Sequence, residues 1–319
     1  MTSYTSNVKS ALQGLTVGFI GCGDLGKAIL KGISHESAPS PQVPDSWALA
    51  RYLASVQSEK TAQALREVFQ SASDVGGSIN LEVFQRQNVQ VAQKSDFVVL
   101  ASPPGAVEAI LSEKGMAQAL SQKVLVSLAA GVTMSQMETA LYRPKGDSPN
   151  VSDQNRCWIV RAMPNIAASL AASATAITVS TDPAPPKEKI EIVESFFQCV
   201  GGITHIAESQ MDAASVVCGA SPAFMALFCD AIIDGAVAGG LPRSQAEAMT
   251  AQALASTAAL LATDGGGKRP SEVRENVCAN PGITIGGILD LEKGGVRGSI
   301  SGAVRDSILA ARSLGRKDG

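Results

Sequence analysis

Residues 15–26 read Leu-Thr-Val-Gly-Phe-Ile-Gly-Cys-Gly-Asp-Leu-Gly, an apolar run that ends in glycines at 21, 23 and 26. The run has the length of a buried strand, and Leu25, Ile29 and Ile33 then recur at the four-residue spacing of a helix face. The stretch is therefore strand, tight turn, helix, with G-x-G-x-x-G at the turn. Gly21 permits the sharp bend, Gly23 lets a pyrophosphate approach the backbone, and Gly26 lets helix pack on strand. The helix start adds unpaired N–H groups and a positive dipole end. Ordinary glycine-rich turns share this motif; its position between a strand and a helix points to a dinucleotide.

Outward from this turn the same alternation continues. Beyond a Pro/Ser-rich loop at 37–46, residues 49–56 read as a strand and 58–70 as a helix. Gly76 and Gly77 break the pattern, and Asn88 opens a short helical turn. Strands at 96–101 and 123–128 flank a helix over 105–120; residues 158–163 continue the sheet, and 176–179 and 202–206 are expected as edge strands. This alternation predicts an α/β fold with a parallel, doubly wound, Rossmann-type sheet. The polar insert 144–155 reads as a mobile loop. From Glu208 the pattern is helical and dominated by alanine, glycine and leucine. Ser221-Pro222 reads as an N-cap and first-turn proline opening an apolar helix to Gly239. Further helices are expected over 242–261, ended by 264–267, and over 271–277, 284–292 and 296–314. The expected organisation is a dinucleotide-binding domain at 1–208 and an all-helical domain at 209–319.

Composition narrows the chemistry. The 319 residues carry 26 Lys and Arg against 29 Asp and Glu, with 45% hydrophobic residues, which excludes a disordered tail and argues against a nucleic-acid binder. Two histidines, His35 and His205, are too few for a His-rich metal site; both read as structural, and no metal is expected. The six cysteines are far apart and lack a Cys-x-x-Cys pair, as in a reduced, cytoplasmic compartment. Residues 1–13 are too polar for a signal peptide. Asp230 and Asp234 interrupt the apolar stretch 222–241, so it reads as a buried helix with a polar edge, not as a membrane span.

The end of the second expected strand reads Ala54-Ser55-Val56-Gln57-Ser58, without the carboxylate that holds the ribose hydroxyls in an NAD site. That pocket accepts the extra phosphate of NADPH, with Ser55, Gln57 and Ser58 as donors, although the same residues serve equally to begin the next helix. No arginine lies in this turn, so NADH remains possible.

Ordered segments then carry a family resemblance: GFIGCGDLG at 18–26, SLAAGV at 127–132, RAMPN at 161–165, MDAASVVCGASPAF at 211–224, GLPRSQA at 240–246, ENVCANPGITIGGI at 275–288 and LEKGG at 291–295. From Val17 to about Ser313 the chain resembles the pyrroline-5-carboxylate reductases, NAD(P)H-dependent enzymes that make proline from its cyclic imine. The resemblance implies that Ile20, Gly21, Cys22, Gly23, Asp24 and Leu25 hold the pyrophosphate, with Ser55 and Gln57 beside the adenosine ribose. It implies Asn88 at the adenosine end, where a helix cap is the rival reading. Ala101, Ser102, Pro103, Ala129 and Asn165 would lie toward the nicotinamide, with Asn276 reaching the cofactor from the helical domain. For the substrate it implies N–H groups of Gly282, Ile283 and Thr284 on the carboxylate, with Ser221 and Asn280 nearby. Thr284 is the implied catalytic hydroxyl at the ring nitrogen, and a helix-capping threonine is its alternative. The family also forms dimers through its helical domain, so a homodimer or larger homo-oligomer is expected.

Several family positions differ. The usual Val-Lys-Pro is Ser102-Pro103-Pro104, Ser-Gly-Ser-Gly-Pro is Cys218-Gly219-Ala220-Ser221-Pro222, and Pro-Gly-Gly is Asn280-Pro281-Gly282. Beside reduction of 1-pyrroline-5-carboxylate, two readings therefore stand: a pathway-specific reductase of a substituted pyrroline or piperideine carboxylate, and a catalytically weak NADPH-binding oligomer. The β-hydroxyacid dehydrogenases share the domain plan but need a lysine in the first long helix of the helical domain, and 222–239 contains none.

Overall fold

Strand β1 (Thr16–Ile20) shows why the opening apolar run folds as it does. Val17 and Phe19 enter one hydrophobic cluster and Ile20 the other, so the strand is buried on both faces. The same alternation recurs in β4 (Phe97–Leu100), where Phe97 and Val99 face one side and Val98 and Leu100 the other. The computed structural model describes residues 14–34, 50–70, 79–142, 155–262, 267–278 and 282–314. Two compact units divide between Gly219 and Ala220, the chain from Ile308 grouping with the first.

The first unit is an eight-stranded sheet in the order β3-β2-β1-β4-β5-β6-β7-β8. The remaining strands are β2 (Arg51–Val56), β3 (Asn80–Gln85), β5 (Val124–Ser127), β6 (Trp158–Met163), β7 (Ser173–Val179) and β8 (Gly201–His205). All pairings from β3 across to β6 are parallel; β7 runs antiparallel to β6, and β8 parallel to β7. Its helices are α1 (Asp24–Ile33), α2 (Glu59–Gln70), α3 (Asn88–Lys94), α4 (Val107–Leu111), α5 (Met116–Ala119), α6 (Met134–Tyr142) and α7 (Lys187–Gln198). On one face Phe196 of α7 meets Phe97 edge to face, with ring centroids 5.3 Å apart.

Several expectations need correction. The strand β3 has no counterpart in the sequence reading, which passes from the Gly76-Gly77 break to Asn88. The helix expected over 105–120 is instead a 3-10 turn at Pro104–Ala106 followed by α4 and α5. Gly115, at φ +91°, turns the chain between α4 and α5. Of the two expected edge strands, β7 is interior, between β6 and β8, and it breaks the parallel pattern. The insert 144–155 lies outside the described residues apart from its last position.

The second unit is helical: α8 (Ser221–Ala238), α9 (Arg243–Leu261), α10 (Pro270–Val277), α11 (Ile283–Lys293) and α12 (Val296–Leu314), the last ending in the first unit. Ser221 is not an N-cap. Helical structure already begins near Glu208 and passes through a π-helical segment, Ser215–Ala220, directly into α8, whose capping position is Ala220. Nor is α8 a buried helix in this chain, since none of its residues is buried. Asp234 at its edge pairs with Arg243 at 2.6 Å, in keeping with a polar rim.

Candidate functional site

The strand order reverses direction between β1 and β4, and a crevice at that switch point is where open α/β sheets bind ligands. A cleft of about 820 Å³ opens there. Residues 21–25 after β1, Ser55 and Gln57 at the end of β2, Asn88 at the start of α3, and residues 101–103 after β4 all line it.

Local geometry explains the glycine turn. Gly21 has φ +78°, donates its N–H to the Ser55 carbonyl at 2.8 Å, and has no room for a Cβ, which would collide with the Ser102 hydroxyl. Gly23 differs: φ is −75°, and a Cβ there would meet no protein atom within 4 Å. It caps α1 without any side-chain hydrogen bond, leaving the first-turn N–H groups of the helix at the mouth of the cleft. Asp24, beside them, pairs with Lys27 at 3.1 Å. A pyrophosphate fits this cradle of bare backbone and uncapped helix start. Burial pushes the Cys22 thiol up to about 12, so it stays protonated at neutral pH and acts as packing under the turn.

Several expected contacts prove to be linked to one another. The buried Ser55 hydroxyl donates to the Asn88 side-chain oxygen at 2.7 Å and accepts the Gln87 N–H at 3.1 Å. The Asn88 amide then donates to Glu113 at 2.6 Å. Asn88 is the first residue of α3, whose capping position is Gln87, so it ties three segments together instead of capping the helix. Ser102 donates its hydroxyl to the Ile20 carbonyl at 2.9 Å, latching the ends of β1 and β4.

Ile20 and Ala129 are buried behind this surface. Asn165 is also buried; its side chain accepts the Ala167 N–H at 3.0 Å and donates to the Cys218 carbonyl at 2.8 Å. In the second unit, Asn276 is exposed on α10 and Ser221 half-buried at the start of α8. Gly282 caps α11 without a side-chain bond, and Ile283 and Thr284 follow as its first two residues, both exposed. Thr284 therefore does not cap the helix, and its hydroxyl has no partner among the described residues. Asn280 lies outside the described residues.

Sequence reasoning missed three polar residues that line the cleft, Thr61 on α2, Glu113 between α4 and α5, and Arg86, just past β3, along with apolar lining such as Ile110 and Leu128. The absent arginine at the end of β2 was a true reading of 54–58, but the neighbouring strand supplies one.

The comparisons agree across the chain. The family model described as "Pyrroline-5-carboxylate reductase dimerisation" matches residues 208–314, and that described as "NADP oxidoreductase coenzyme F420-dependent" matches residues 16–131. A pyrroline-5-carboxylate reductase of Lophium arboricola is 34% identical, with 95% of this chain and 94% of the relative covered. Another of that name from Neurospora crassa is 35% identical, with 97% and 95% covered. Among solved structures, a Plasmodium falciparum pyrroline carboxylate reductase with NADP bound superimposes with a TM-score of 0.73 at 20% identity, covering 95% of this chain and 99% of that one, which shows the shared fold.

Proposed function

This chain belongs to the pyrroline-5-carboxylate reductase family, and from that premise we propose that it reduces 1-pyrroline-5-carboxylate to proline with NADPH. The observation that carries the reading is the extent of the likeness: relatives of that name align over both compact units, not over the nucleotide-binding half alone. The cofactor, when bound, supplies the hydride that reduces the imine carbon.

The chain's own residues do the rest. Bare backbone at 21–25 and the start of α1 hold the pyrophosphate, Gln57 and Asn88 face the adenosine half, and residues 101–103 line the nicotinamide half, with Ala129 and Asn165 behind them. Backbone N–H groups of Gly282, Ile283 and Thr284 at the uncapped start of α11 receive the substrate carboxylate without an arginine. Thr284 would orient the ring by accepting a hydrogen bond from the N–H of the protonated imine, the proton that the amine product keeps. A protonated imine is already electrophilic, so positioning accounts for much of the rate and no strong side-chain acid is required. Homo-oligomerisation through residues 208–314 follows from the matched dimerisation model. The reading includes a cytoplasmic location, supported by six cysteines that are all free thiols.

The test is NADPH oxidation with 1-pyrroline-5-carboxylate and with substituted five- and six-membered cyclic imino acids, for wild type and Thr284→Ala. Turnover should be fastest with the unsubstituted pyrroline. In the variant kcat should fall about 10- to 100-fold with NADPH affinity unchanged. Preference for another ring replaces the substrate named here, and no turnover with any of them favours a catalytically weak binding protein. Unchanged turnover in the variant removes Thr284 from the mechanism.

A further inference from the structure

The end of β2 carries no charge to meet a 2′-phosphate, yet the cleft has a cation at that place. Arg86 follows β3, which pairs with β2 in parallel register through Val56 and Gln85. Its backbone N–H donates to the Val56 carbonyl at 2.9 Å, closing the ladder. The chain then bends at Arg86 with φ +53°, a left-handed conformation that a long side chain rarely adopts. That bend brings the guanidinium back across the strand end, where Nε donates to the Gln57 carbonyl at 3.2 Å. The terminal guanidinium nitrogens have no partner among the described residues, and the residue is exposed and lines the cleft.

The neighbouring acids are engaged elsewhere: Glu59 with Arg66 at 2.9 Å, and Glu113 with Asn88 at 2.6 Å. Thr61, on the first turn of α2, lines the same cleft, its hydroxyl 2.9 Å from that of Ser58. A permanently charged, forked donor held by its Nε, beside a hydroxyl and with no competing carboxylate, suits a phosphate monoester.

The geometry points to Arg86 as the residue that receives the 2′-phosphate and sets preference for NADPH over NADH, replacing from β3 the arginine that β2 lacks. This rests on the nucleotide reading of the cleft given above. The rival role is a latch that merely holds Gln57, and the two predict different results.

The experiment is calorimetric titration of adenosine 2′,5′-bisphosphate and of 5′-AMP into wild type, Arg86→Gly and Arg86→Lys, with urea denaturation of each. Glycine suits the left-handed backbone, so Arg86→Gly keeps the bend while removing the cation. Wild type should bind the bisphosphate more tightly than 5′-AMP. Arg86→Gly should lose about 10- to 100-fold for the bisphosphate, the scale of a charge-assisted contact, with 5′-AMP affinity unchanged. Arg86→Lys should recover part of that loss, and kcat/KM for NADPH should fall in Arg86→Gly while that for NADH holds. Equal bisphosphate affinity in wild type and Arg86→Gly overturns the assignment, as does an equal loss for both nucleotides, which marks the latch. Wild type that binds neither nucleotide fails the reading of the cleft itself.

Discussion

Two glycines of one turn have opposite reasons for being glycine, and substitution separates them. At Gly21 the positive φ and the collision with Ser102 are intramolecular, so Gly21→Ala should cost roughly 2–3 kcal/mol of folding stability, from backbone strain plus the disturbed Ser102 bond to Ile20. At Gly23 the backbone is ordinary and the space is open, so Gly23→Ala should leave the urea midpoint within about 0.5 kcal/mol of wild type. It should nonetheless weaken NADPH at least about tenfold, because the added methyl occupies the pyrophosphate's line of approach. Fluorescence titration showing equal NADPH affinity in Gly23→Ala places the phosphates elsewhere. The tight bend at Gly21 was legible in the sequence because the glycine run after an apolar strand signals it locally, whereas the clash with the distant Ser102 needs the fold. The bonds from Ser55 to Asn88 and on to Glu113 were not legible either: they join residues 33 and 25 positions apart, and only the sheet brings them together.

Among the strands, those buried on both faces were legible and the edge strand β3 was not. The strands β1, β4 and β5 announce themselves as apolar runs because both faces are covered. In β3 no residue is fully buried, since the strand lies at the sheet's edge, so Asn80–Gln85 carries little hydrophobic signal. Missing that strand also concealed Arg86. The entry to the helical unit misled in another way: Ser221-Pro222 has the composition of a helix start, but a π-helical segment lets the chain continue through it. Asn165 anchors this segment through the Cys218 carbonyl while accepting the Ala167 N–H. Asn165→Ala should therefore cost about 1–3 kcal/mol in urea denaturation, from two groups left without their partner. Asn165→Asp should cost at least as much, because it keeps the acceptor for Ala167 but sets an oxygen against the Cys218 carbonyl. A neutral melt for Asn165→Ala accompanied by weaker NADPH binding assigns the side chain to the cofactor instead.

At the scale of the whole molecule, the helical unit leaves more apolar surface uncovered than a monomer ordinarily tolerates. Leu227 is 71% exposed and Ile283 95%, and Met225, Phe228, Ile232, Met249 and Leu289 are exposed as well. The sequence reading took 222–241 for a buried helix within a domain expected to dimerise, and in the single chain that helix has no buried residue. By length and composition the helical stretch Glu208–Ala238 is also apolar enough to cross a membrane, with only 6% of its most apolar window buried. Residues 208–314 match the dimerisation model, so a second copy of the chain is the expected cover. Light scattering at micromolar concentration should then give at least twice the monomer mass, and the protein should not float with lipid vesicles. Leu227→Asp, placing a charge where a leucine would be desolvated, should weaken association about 100-fold, equivalent to roughly 3 kcal/mol. Because Leu227 has little contact within its own chain, the isolated variant should keep its far-ultraviolet circular dichroism while its mass falls toward that of a monomer. A wild-type monomer in solution, or co-flotation with vesicles, means that something other than a second copy covers this face.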